Sequence, residues 1–150
     1  MTGPSMKSLI NSWQLWAFLS ATFAALTAVL AKVGVEEINS DYATLVRTLV
    51  ILAAAAAIVA ATGQWQSPVS VPGRSYLFLV LSGLATAASW LCYFRALKLG
   101  DASRVAPIDK LSVVLVAVFA ALFLNERLAS INWLGIVLIT AGVVLVAYKP

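Results

Sequence analysis

Residues 42–62 read YATLVRTLVILAAAAAIVAAT, and this stretch decides the fold. Apart from Tyr42, Arg47 and three threonines it is entirely apolar. The block Ala53 to Ala57 shows no alternation of faces, which removes a lipid-facing β-strand and leaves a helix. At ~1.5 Å per residue, a helix of this length crosses the ~30 Å hydrocarbon layer of a bilayer.

Four similar runs flank it: Trp13 to Gly34 before it, then Ser75 to Leu97, Arg104 to Leu124 and Ile131 to Tyr148. Each holds roughly 18–23 residues, enough to span a membrane. The composition agrees: the chain is 62% apolar and 11% charged, with a mean hydropathy of +0.96. A 150-residue chain cannot hide so much apolar surface in one water-soluble core. The expected fold is an all-α membrane protein, a bundle of five transmembrane helices. A first run of this length exceeds the apolar core of a cleaved signal peptide. Residues Met1 to Ser5 read as a vector scar before a natural Met6, leaving one domain over residues 6–150.

The remaining counts narrow the chemistry. There is no histidine, which removes Ser-His-Asp catalysis and HExxH metal sites. The single cysteine, Cys92, has no internal disulfide partner. No enzyme activity, cofactor, metal or nucleic-acid partner is expected. The formal charge of +4 is spread along the chain, mostly at the edges of apolar runs, where Lys and Arg anchor helices.

An odd number of spans puts the two termini on opposite sides. Lys7, Arg74 and Arg127 belong to the amino-terminal face; Lys32, Lys98, Arg104 and Lys149 belong to the other. If Arg47, Arg95 and Lys110, nearer the core, are counted with the second face, the carboxyl terminus is expected in the cytoplasm; without them the near balance permits insertion in both orientations.

Charges inside spans are the informative exceptions. Lys32, Arg47, Arg95, Asp109 and Lys110 all fall toward the face bearing the first and third connectors, about 4 to 9 Å beyond them. Snorkelling accounts for charges near helix ends; Arg47 and the Asp109/Lys110 pair sit deeper. A structural ion pair of Asp109 with Arg47 or Lys110 is an intermediate reading; adjacent helical residues point ~100° apart, so Asp109 and Lys110 are not expected to face one partner together. Ser82, Thr86, Ser89 and Tyr93 form a polar stripe on one helix face, flanked by Trp90. Hydroxyl stripes glue helices together or line a wet cavity. Pro107 is either a hinge or a tolerated helix start. Gly135 and Gly142, seven apart, suit close approach of another helix and mark a candidate dimer interface.

The stretch from Tyr93 to Leu111, together with Phe123 to Leu128 and Trp133 to Val143, resembles the EamA domain of the drug/metabolite transporter superfamily. The glycine pattern of the last run also resembles the final helix of the small multidrug resistance exporters. Their membrane-embedded glutamate in the first span has no counterpart here. Typical EamA members have ten spans in two inverted halves, so the resemblance implies one half of a ten-helix inverted-repeat transporter. The missing half would come most simply from a second, antiparallel copy. It further implies alternating access to a small-molecule substrate by an integral multi-pass protein of a bacterial or archaeal cytoplasmic membrane. The cationic excess favours an amino acid or another substrate bearing carboxylate or phosphate. The candidate substrate-binding residues are Arg47, Ser89, Trp90, Tyr93, Arg95, Asp109 and Lys110. A flippase of a lipid-linked carrier and a non-transporting membrane subunit are the alternative readings.

Overall fold

The computed structural model describes residues 12–148. The reading of Met1 to Ser5 and the positions of Lys7 and Lys149 lie outside them. Among the described residues all regular structure is helical, and five segments are long and apolar enough to cross a membrane.

The run that opened the argument is α2, Ser40–Ala61, with α1, Trp13–Val35, before it. Local chemistry sets its ends. The Asn39 side chain accepts the backbone N–H groups of Asp41 (2.8 Å) and Tyr42 (3.3 Å), satisfying two donors that a helix start leaves open. At the far end Gly63 takes a left-handed φ of 64°. That lets the N–H of Gly63 reach the Ala60 carbonyl (3.2 Å) and the N–H of Gln64 reach that of Val59 (3.1 Å), a Schellman stop. Asn39→Ala should cost about 1 kcal/mol, measurable as a lower midpoint when helical circular dichroism is followed on heating.

A short 3-10 turn, Pro68–Ser70, leads into α3, Gly73–Leu99. The fourth span, Ala102–Phe123, is not one helix. It divides into α4, Ala102–Asp109, and α5, Ser112–Phe123. Pro107 lies inside α4, beyond its first turn, so it is not a helix-start proline. Three residues later the hydrogen bonds tighten. The Lys110 N–H is shared between the carbonyls of Ala106 (3.3 Å) and Pro107 (3.0 Å), and the Leu111 N–H goes to Ile108 (3.0 Å). Such an i→i−3 interruption inside a span is a local 3-10 turn. Just beyond the end of α5, Asn125 takes a φ of 54°, and the Glu126 N–H returns to the Ala120 carbonyl (3.2 Å). The last helix, α6, is Ser130–Ala147. The ends of the five spans fall within a turn of the apolar runs read from sequence, whereas the break between α4 and α5 lies inside the fourth run.

α3 packs on α1, α2 and α4, while α6 packs on α4 and α5. The well-buried core sits at the end that carries the first and third connectors. Val35 and Leu97 are fully buried there, with Phe94 and Ala43 beside them and Val105 packed against the cluster. Two lysines tie this end together. Lys32 Nζ donates to the Leu97 carbonyl (2.9 Å), and Lys98 Nζ donates to that of Ile38. Both meet orphan carbonyls of helix or loop ends, where a cation is favourable. Elsewhere large apolar side chains such as Leu79 and Leu145 face outward, as suits hydrocarbon surroundings.

Candidate functional site

Four spans converge on one cavity of about 190 Å³. α1 contributes Ala24 and Thr27, α2 contributes Arg47, α3 contributes Ser89, Trp90 and Tyr93, and the end of the short α4 brings Asp109 and Lys110. Six of the seven residues singled out from sequence therefore line the same space.

Arg47 is its central group. Its guanidinium carbon stands 4.3 Å from the centre of the Trp90 ring and 5.5 Å from that of Phe94. Trp90 and Phe94 are four apart on α3, so one helix face presents both rings to one cation. Arg47 takes part in none of the ion pairs found among the described residues. Its guanidinium packs against aromatic rings, and no carboxylate of the described residues lies within ion-pair distance of it. Phe94 escaped sequence reasoning, although its spacing from Trp90 would have found it.

Of the two ion pairs considered for Asp109, the structure has the one with Lys110: Lys110 Nζ lies 3.3 Å from Asp109 Oδ2. Both residues also line the cavity, although the ideal 100° step would turn them apart. The cavity thus holds two cations and one carboxylate.

Arg95 stands elsewhere. Its Nη2 is 2.8 Å from Asp41 Oδ2, and its Nε donates to Asp41 Oδ1 at 3.1 Å. This two-pronged pair is solvent- or headgroup-exposed. Residues two apart on a helix point roughly 200° apart, so Tyr93 and Arg95 cannot face one cavity. Arg104 likewise pairs with Asp101 (3.4 Å).

The polar stripe of α3 is divided. Ser89 and Tyr93 face the Arg47 cavity, whereas Ser82 and Thr86 line a groove shared with Thr44 and Thr48 of α2. Those threonine hydroxyls donate back to their own helices, Thr44 to Ser40, Thr48 to Thr44 and Thr86 to Ser82. A Cβ placed on Gly135 or Gly142 would meet nothing within 4 Å. Neither glycine is used for helix packing inside one chain. No group of three or more His, Cys, Asp or Glu side chains able to hold a metal ion occurs among the described residues.

Comparison with known proteins adds the following. The family described as the EamA-like transporter family matches residues 11–148. A Sinorhizobium protein described as an uncharacterized transporter in the cobO 3′ region is 71% identical over 137 residues. That match covers 91% of this chain and 97% of the relative. No solved structure matches.

Proposed function

The chain belongs to the EamA-like transporter family, and on that premise we propose that it carries a small organic anion across the membrane by alternating access, as an antiparallel homodimer. It is a multi-pass membrane protein, and the origin of its relative fits a bacterial inner membrane. The observation that carries the substrate reading is Arg47, a guanidinium in a membrane span with aromatic packing but no ion-pair partner among the described residues. An uncompensated cation at that depth is costly unless water or a ligand serves it. With Lys110 beside it, the cavity suits a carboxylate or phosphate, and Asp109 suits an accompanying amino group.

Two observations support the homodimer. The match covers nearly all of the Sinorhizobium relative, which leaves that protein no length for five further spans. Gly135 and Gly142 also present a helix face with open space above it. Inverted copies would then supply the two halves whose exchange of conformations switches the open side.

Reconstituted vesicles test the transport reading. Radiolabelled amino acids, dicarboxylates and sugar phosphates should include at least one that exchanges faster than in protein-free vesicles; no exchange by any of them would sink the anion reading. Orientation is tested separately. Val69 is 94% exposed in the loop before α3. In a Cys92→Ala background, Val69→Cys should react with an impermeant maleimide from both sides of the membrane in similar amounts. Reaction from one side alone would exclude the antiparallel pair.

A further inference from the structure

The Arg47 cavity has a neighbour. A second cavity of about 340 Å³, lined mainly by α1 and α2, shares that arginine. Thr27 and Arg47 line both. Beyond them the linings part. The first is polar, with Asp109, Lys110, Ser89 and Tyr93. The second is built from Leu30, Ala31, Gly34, Val46 and Phe94, with no ionisable group besides Arg47. Arg47 therefore stands at the junction of a charged lobe and an apolar lobe. Its guanidinium lies against the rings of Trp90 and Phe94, and its N–H groups are the donors an anion would meet.

We propose that the substrate is an amphiphilic organic anion, with its charged group between Arg47 and Lys110 and an apolar body lodged in the Gly34 lobe. This rests on the anion-transport reading above and narrows it. The volumes fit: an apolar cavity of roughly 150 Å³ suffices for a benzene ring, so the second lobe takes an aromatic or branched aliphatic body with a short linker. A small hydrophilic anion would leave that lobe empty and gain nothing from it. Ligand sites of this kind are mostly apolar, with a few convergent polar groups that fix orientation.

Gly34 makes the idea testable without harming the fold. A Cβ there would meet nothing within 4 Å. Gly34 lies in the last turn of α1, where leucine is the better helix former. Gly34→Leu therefore fills the apolar lobe and keeps the helix.

The probes are methanesulfonate and benzenesulfonate, which share one permanently charged group and differ in body. Their affinities are read from the shift they cause in the thermal unfolding midpoint of the protein in lipid nanodiscs. Benzenesulfonate should bind at least tenfold more tightly to the natural chain. Gly34→Leu should bring it to the methanesulfonate level and leave methanesulfonate unchanged, while Lys110→Ala should weaken both. Equal affinities in the natural chain, or a benzenesulfonate preference that survives Gly34→Leu, would overturn the two-lobe proposal and leave the anion reading standing. Binding of neither probe to a folded natural chain would overturn both.

Discussion

Replacing Arg47 by alanine should reduce exchange of the transported anion by one to two orders of magnitude while the protein still folds and inserts. A hydrogen bond to a charged group contributes about 1.5–3 kcal/mol, which corresponds to roughly a 10–100-fold change. Alanine removes the only charged group that lines both lobes of the cavity. Lysine at the same position should recover part of the activity: it restores the charge but not the planar group that lies on Trp90 and Phe94. Arg95→Ala is the matching control. It removes a cation from the same end of the bundle, but one already paired with Asp41 outside the cavity. Exchange by that variant should stay within about twofold of the natural chain, since exposed pairs contribute little. Equal losses from Arg47→Ala and Arg95→Ala would mean that overall positive charge, not the cavity, governs transport.

The second large effect falls on stability. Leu97 has no exposed surface, and it sits where the ends of α1 and α3 and the start of α4 meet. Leu97→Ala should destabilise the chain by about 2–5 kcal/mol, the range for buried leucines whose loss leaves a cavity. The same loss is expected in a membrane because what is removed is packing, not transfer from water. Leu84, 64% exposed on the same helix, provides the contrast. Leu84→Ala should change stability by less than about 0.5 kcal/mol. The measurement is the midpoint of thermal aggregation in detergent for the two variants side by side. A similar loss at both positions would show that the core at the connector end does not dominate.

Much of the architecture was legible before any coordinates. The apolar run at residues 42–62 and its four companions fixed five spans, because only a helix satisfies its own backbone in lipid. The caps at Asn39, Gly63 and Asn125 were not read from sequence, although their residue types suit helix ends. Arg47, Asp109 and Lys110 announced themselves by being charged where charge is expensive. Phe94 and the break at Lys110 and Leu111 were less visible. A phenylalanine in an apolar run carries no signal of its own, and Pro107 has its irregularity three residues downstream.

What the sequence alone determined is thus which segments enter the membrane and which few polar groups they carry with them, since both follow from solvation of single residues. The tertiary structure decided how those groups are shared out. Depth along a helix can be counted from its ends, and by that measure Arg95 lies nearer its helix end than Arg47 does. Which neighbour each one meets depends on rotation and packing. Those place Arg95 on Asp41, Lys32 on the Leu97 carbonyl, and Arg47 on two aromatic rings between a charged and an apolar lobe.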